Sequence, residues 1–280
     1  MTTSSGCAVI VEPRQHAALK FVIETAVQYL PPEWTIQLFH GTQNEAYAQR
    51  ELKALIESGR LVLQKMPVAN LTRVMYSQMF LTLEFWEKCL GEHILIFQTD
   101  SIFLPTSPHK LTDFFQWDYI GGPWWNRQGL DGGFSLRTKS SAIAAIQNMP
   151  PQTRRIVQKG DLHEDQYFSA YFRQHPKYRM APIHEAQKFC VEGVYYEKPM
   201  AVHQTWTYKQ SVGLPQYYKL VMSHPVLQQL LRLNNQPLPT LQQLTTRRVR
   251  SRSIHPRTGV MRKSVSRAKS LTARSRRRRR

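Results

Sequence analysis

Acidic residues are scarce in this chain of 280 residues: 19 Asp and Glu stand against 38 Lys and Arg, a formal charge of +19. The imbalance is local. From Arg247 to Arg280 there are 15 basic residues and no acid, which leaves 23 against 19, a charge of +4, for the rest. The high isoelectric point therefore describes an arm, and the body needs no basic surface. Cysteine is scarcer still. Cys7, Cys89 and Cys190 are far apart and lack metal-type spacing, which excludes a disulfide framework and suits a reducing compartment. No run reaches the roughly 18 apolar residues of a membrane span. Met1 to Gly6 lacks the basic and apolar regions of a signal peptide. The expectation is a cytoplasmic protein, or a nuclear or virion-associated one, that is not secreted and has no transmembrane segment.

What remains is a globular composition, 41% hydrophobic and 11% aromatic, enough for one substantial core. Cys7 to Glu12 reads as a first strand. Leu19, Val22, Ile23, Ala26 and Leu30 have the spacing of an amphipathic helix, stopped by Pro31-Pro32. Trp34 to His40 reads as a second strand. Asn44 is a candidate N-cap for a helix through Leu52, Leu55 and Ile56, with Gly59 just beyond. Leu61 to Leu63 is a third strand, and Met79, Leu83, Trp86 and Leu90 give another helical face. Strands alternating with helices in this rhythm predict an α/β fold with a mostly parallel central sheet. The globular domain is expected over residues 1–235. A polar, then polybasic, disordered tail is expected over 236–280.

The run Ile94 to Phe97 predicts a strand buried on both faces. Gln98, Thr99, Asp100 and Ser101 follow it, at the carboxyl end where open α/β sheets place ligands. Asp100 there has two possible roles: it caps a turn, or it holds a hard divalent cation. Three later landmarks keep it company: DGGFSLR at Asp131 to Arg137, HED at His163 to Asp165, and His203 with Trp206. Transfer of a glycosyl group from a nucleotide sugar uses such groups. A carboxylate and a His hold a metal against the diphosphate leaving group. Paired glycines, Gly132 and Gly133, let backbone come close. Glu164 or Asp165 offers a general base. Each has a plainer reading. Glu164-Asp165 also suits the first turn of a helix, His203 a core histidine, and Trp124 and Trp125 a core or pocket wall.

The order and wording of these motifs resemble a glycosyltransferase-like family catalogued mainly as a domain of unknown function, known from large DNA viruses, fungi and other sources. The matching pieces are AVIVEPR from Ala8, LPPEWTIQLFHGTQN from Leu30, EFWEKCLGEHILIFQTDSIF from Glu84, DYIGGPWW, DGGFSLR, HEDQYFS and VHQTW. The resemblance covers roughly residues 6 to 210. It implies a GT-A-like, Rossmann-type fold acting on a nucleoside-diphosphate sugar donor, with Mn²⁺ or Mg²⁺ as cofactor. It implies Asp100 and His203 as metal ligands and Asp165, paired with Glu164, as the acceptor-side base. Glu12, Arg14, Thr99, Asp100, Gly132 and Gly133 would lie at the donor, and Trp124, Trp125 and Trp206 at the acceptor, a glycan or a protein. Two positions depart from the pattern: Gln98 stands for the first Asp of Asp-x-Asp, and Asp131 for an Asn.

A rival expectation is an inactive scaffold, virion- or nucleic-acid-associated, that works through its tail. Fifteen positive charges without acids predict salt-sensitive binding to nucleic acid or anionic surfaces. Deleting Arg247 to Arg280 should abolish most of that binding and leave the melting temperature of the body nearly unchanged. Equally steep salt dependence in the truncated protein would place the binding surface in the body.

Overall fold

The apolar run at the centre of the chain is strand β4 (His93–Phe97) of a six-stranded sheet, buried along its whole length. The computed structural model describes residues 6–242. The basic stretch from Arg247 to Arg280 lies outside the described residues. Beside β4 stand β1 (Gly6–Glu12), β2 (Thr35–His40) and β3 (Leu61–Lys65) on one side, and β7 (Leu130–Thr138) and β6 (Tyr119–Pro123) on the other. The order is β3-β2-β1-β4-β7-β6. The first four strands are parallel, and β7 alone runs against the others, antiparallel to β4 on one side and to β6 on the other. This is the α/β architecture with a mostly parallel sheet that the alternating pattern implies. Cys7 to Val11 and Ile94 to Phe97 are buried, as strands covered by helices on both faces must be.

A second sheet of three short strands is less regular. It consists of β5 (Ser101–Phe103), β9 (Ala201–His203) and β8 (Cys190–Val191), in the order β5-β9-β8. Strand β5 is antiparallel to β9, whereas β8 is parallel to it. This sheet lies at the end of β4 where the chain leaves the main sheet.

Several helices differ from the sequence pattern. The helix expected from Asn44 through Ile56 breaks at Leu52 into Glu45–Glu51 and Lys53–Glu57. Of the face expected from Met79 to Leu90, Met79, Leu83 and Trp86 fall in two helices, Arg73–Met79 and Leu83–Lys88, whereas Leu90 lies beyond the second and is exposed. Thr72 and Thr82 cap the two helices through their hydroxyls. Helices Leu214–Met222 and Pro225–Leu233 extend the body past Trp206, and Asn234 Nδ2 donates to the carbonyl of Thr99 at 2.9 Å. The three cysteines are free and buried. Among the described residues no helix is long and apolar enough to cross a membrane.

Close backbone approach places the start of β7. The register shifts between Gly121 and Pro123, and a Cβ on Gly121 would lie 2.1 Å from the carbonyl oxygen of Asp131. That oxygen also accepts from Tyr119 Oη at 3.1 Å. Gly121→Ala should therefore lose about 1–3 kcal/mol in urea unfolding, because backbone rather than a flexible side chain must give way. A loss under about 0.5 kcal/mol would show that the bulge is soft.

Candidate active site

The carboxyl ends of β1 and β4 open onto a cavity of about 450 Å³. Chain direction switches here, because β1 leads outward to β2 while β4 lies on its other side. Glu12 ends β1, and Arg14 takes up its carboxylate: Nε and Nη2 donate to the two oxygens, each at 2.8 Å. Thr99 Oγ1 donates to Glu12 Oε2 at 3.5 Å and so joins the two strand ends.

The turn after β4 is closed by Ser101, not by Asp100. Ser101 Oγ accepts from the Gln98 N–H at 3.1 Å and donates to the Gln98 carbonyl at 2.8 Å. The Asp100 carboxylate is thereby left to face the second sheet. Antiparallel pairing sets Ser101 opposite His203, and Asp100 Oδ1 lies 3.3 Å from His203 Nε2. Gln98 Oε1 lies 3.2 Å from the same nitrogen, and Gln204 Nε2 donates to Asp100 Oδ2 at 2.6 Å. On the other edge of the ring, Nδ1 is 2.9 Å from Asp131 Oδ2 and 3.8 Å from Glu192 Oε1. Glu192 follows β8, which runs beside β9 with Val191 opposite Val202. Asp131 Oδ2 also accepts the N–H groups of Gly133 and Phe134, each at 3.0 Å.

One imidazole thus sits among three carboxylates. Burial alone would lower the His203 pKa, but the charges of Asp131 and Asp100 and their hydrogen bonds raise it well above the ordinary value. Burial alone would raise Asp100 and Asp131, yet the charge of His203 and the bonds each accepts hold both below the usual range. Glu192 goes the other way: burial, then the charge of Asp131, pushes it well up.

These groups suit a divalent cation. Glu192 Oε2 is buried without a hydrogen-bond partner, a costly state for a polar atom, and Asp100 Oδ1 and His203 Nδ1 have only the ion-pair contacts within the cluster. Asp131, Glu192 and His203 bring ligand atoms within 4.8 Å of one another. A Cβ on Gly133 would fall 2.4 Å from His203 Nε2 and 2.7 Å from Gln98 Oε1, so glycine keeps that corner open. Carboxylate oxygen with imidazole nitrogen is a donor set for Mn²⁺ or Mg²⁺.

The HED turn forms the opposite wall. Glu164 and Asp165 begin the helix Glu164–Gln174, where the macrodipole favours acids, and Ser77 Oγ accepts from the Glu164 N–H at 2.7 Å. Their side chains do more than face solvent. Arg137, fully buried under the rings of Phe80, Trp86, Tyr119 and Phe168, reaches Glu164 Oε1 with Nη2 at 3.9 Å. Among the described residues, no cation forms an ion pair with Asp165. Burial, then the charges of Glu164 and Asp131, raises it to about 7. A Cβ on Gly132 would lie 2.3 Å from Glu164 Oε1 and 3.3 Å from Asp165 Cβ. Adjacent glycines of one strand therefore touch both walls: Gly132 meets the acid pair and Gly133 meets His203.

Of the residues singled out in the sequence, Glu12, Arg14, Thr99, Asp100, Gly132, Gly133, Glu164, Asp165, His203 and Trp124 all line this cavity. Trp125 and Trp206 do not: Trp125 is 62% exposed, and Trp206 packs against the core. Sequence reasoning passed over Asp131 and Glu192 as site groups. Glu192 comes directly after the three apolar residues Phe189 to Val191, a run too short to stand out as a strand. Asp131 was visible as a substitution in a glycine motif.

Several solved structures are similar in outline. The mannosyltransferase PcManGT from Pyrobaculum calidifontis, solved with GDP-Man and Mn²⁺, has a TM-score of 0.45 and 11% identity, over 83% of this chain and 70% of that one. The glycosyltransferase GlyE of Streptococcus pneumoniae TIGR4, in its apo form, has a TM-score of 0.48 and 8% identity, over 88% and 64%. The bifunctional glycosyltransferase WbbM, also apo, has a TM-score of 0.47 and 7% identity, over 83% and 52%. This chain thus spans under two thirds of GlyE and about half of WbbM. No curated protein matches the sequence significantly. The model of a family described as a protein of unknown function, DUF5672, matches residues 62–203. That match takes in the Asp100 turn, the glycine pair, the acid pair and His203, and over half of its length the chain belongs to the DUF5672 family.

Proposed function

We propose that the chain is a metal-dependent glycosyltransferase that moves a sugar from a nucleoside-diphosphate sugar to a hydroxyl acceptor. The observation that carries this reading is the meeting of a carboxylate–imidazole cluster with a separate carboxylate pair across one cavity, at the switch point of an α/β sheet. Asp100 and the Nε2 edge of His203 would hold the cation. Asp131 and Glu192, on the Nδ1 edge, would orient the ring, as carboxylates behind ligating histidines commonly do. A divalent ion so held offsets the negative charge that gathers on a departing diphosphate.

The remaining work falls to side chains. Arg14, fixed by Glu12, and Thr99 border the part of the cavity nearest β1, where the nucleotide would lie. Arg137 neutralises Glu164 from within the core, so the two acids of the HED turn have different surroundings, the usual mark of an acid–base pair with divided roles. Asp165 would accept the proton of the acceptor hydroxyl as its oxygen bonds to the anomeric carbon and the bond to the diphosphate oxygen breaks. Hydrolysis of a panel of nucleotide sugars with and without Mn²⁺ tests the reading. Absence of metal-dependent turnover across the panel, with intact folding, would favour a scaffold.

The two edges of the His203 ring give a sharper test. Asp100→Asn keeps size and most hydrogen bonds, so the protein should stay folded while calorimetry shows Mn²⁺-dependent nucleoside diphosphate binding lost. Asp131→Asn should weaken metal affinity by about 10–100-fold, the scale of an orienting partner. If Asp131→Asn proves the more damaging of the two, the ion belongs on the Nδ1 edge with Asp131 and Glu192.

A second test concerns Asp165. Its carboxyl titrates near 3.8 when unperturbed and is raised to about 7 in the fold. Between those values the unfolded chain binds fewer protons than the native one, so stability falls as pH rises through that window and then levels off. Asp165→Asn removes the fall. Its melting temperature should exceed that of the parent at about pH 8, with the gain fading towards about pH 4. Transfer should drop by about two orders of magnitude or more while donor affinity hardly moves. A lower melting temperature at alkaline pH would make Asp165 a structural residue.

A further inference from the structure

The cleft does not stop at the acid pair. A second cavity of about 770 Å³ shares Trp124 with the first, and Leu162 and Gln166, on either side of the His163–Asp165 turn, form part of its wall. Trp124 is a fixed partition between the two. A Cβ on Gly129 would lie 2.2 Å from Trp124 Cζ3, so the ring rests on glycine backbone, and the Trp124 N–H donates to the Gly129 carbonyl at 3.1 Å.

Two arginines border this second space. Arg127 stands in the turn after Trp124, its N–H bonded to the Trp124 carbonyl at 2.8 Å. Its φ of 59° is in the left-handed region, where a bulky side chain is strained and glycine or asparagine is usual. Arg173 projects from the helix that Glu164 and Asp165 begin, and its Nη2 donates to the carbonyl of Gln128, tying helix to turn. Among the described residues, arginines pair with carboxylates at Arg14, Arg50 and Arg137, and not at Arg127 or Arg173. Asp161 is the one carboxylate among the residues lining this space. Two guanidinium groups that no carboxylate pairs, one of them held in a strained turn, thus border a groove with a single acid, next to a main cavity lined by six.

We infer that this groove is the acceptor subsite, and that the acceptor carries an anionic group, a phosphate or a carboxylate. Arg127 and Arg173 bind that group, and Trp124 forms the wall against which the acceptor sugar lies. Guanidinium forks suit both anions, because paired N–H groups match their oxygens. The acceptor hydroxyl then points back over the helix start towards Asp165. As an acceptor site the groove rests on the transfer reading above. As an anion site it stands on its own.

The test uses the full chain titrated with glucose, glucuronic acid and glucose 6-phosphate. The two anionic sugars should bind at least about tenfold more tightly than glucose, and their ranking tells carboxylate from phosphate. Arg127→Gly and Arg173→Gln should each remove most of that preference. The basic arm is the same in every protein compared, so it cancels. Arg127→Gly should also melt no lower than the parent, since glycine relieves the left-handed strain, which separates loss of a ligand contact from loss of fold. Mn²⁺-dependent donor hydrolysis without acceptor, measured on the same proteins, should be unaltered in both variants. If the parent fails to hydrolyse any donor but loses anion preference in the variants, the anion site holds and the transfer reading falls. Equal binding of glucose and glucose 6-phosphate, or unchanged preference in both variants, overturns the anion site.

Discussion

The register of one three-residue strand governs the site. Pairing of β5 with β9 sets Ser101 against His203, and through that pair Asp100 meets the imidazole. Side chains alternate across a strand, so a slip of one residue would turn His203 to the other face. Pairing of β8 with β9 works the same way for Glu192. Strands this short do not hold their own register. Neighbours fix it: the Gln204 N–H donates to the Asp100 carbonyl at 3.1 Å, and Asn234 ties down Thr99. Residues more than 100 positions apart are thus locked to one another by backbone hydrogen bonds, before any charge is counted.

This arrangement explains what was legible in the sequence. Strands β1 and β4 carry continuous apolar runs, Cys7 to Val11 and Ile94 to Phe97, and such runs announce themselves without tertiary context. Asp100, Glu164, Asp165 and His203 stood out because polar groups interrupt or follow those patterns, and the family resemblance gave them an order. Glu192 follows a strand of two residues, too short for any periodicity. Its role depends on a parallel neighbour that sequence spacing cannot supply. The helix break at Leu52 and the two separate helices between Arg73 and Lys88 were hidden for another reason. Leu52, Leu55, Ile56, Met79, Leu83 and Trp86 all pack on the core, so helical spacing alone carries no mark of the breaks.

Arg137 shows how far the core has been bent to serve the acid pair. A guanidinium buried with Nη1 and Nη2 lacking hydrogen-bond partners is expensive. Four aromatic rings lie within 6 Å of it, between 4.9 and 5.9 Å from Cζ to centroid, and offer cation–π compensation. Its one carboxylate contact is Glu164. The buried aromatic residues of the 164–174 helix therefore do more than pack. Through Phe168 they help to hold a cation beneath Glu164, and this gives the two adjacent acids unlike surroundings.

The charge of the chain and the charge of its site are opposite in sign. Six carboxyl groups line the main cavity, from Glu12, Asp100, Asp131, Glu164, Asp165 and Glu192, against the guanidinium groups of Arg14 and Arg73 and the imidazole of His203, with Glu192 and Asp165 pushed towards their neutral forms. Low-dielectric walls concentrate that negative field inside the cleft. A divalent cation would meet the acids there and would favour a diphosphate beside it. Across Trp124 the sign changes again, at Arg127 and Arg173. Anionic ligands on either side of Asp165 would then meet positive charge from two different sources, a bound ion on the donor side and fixed guanidinium groups on the other.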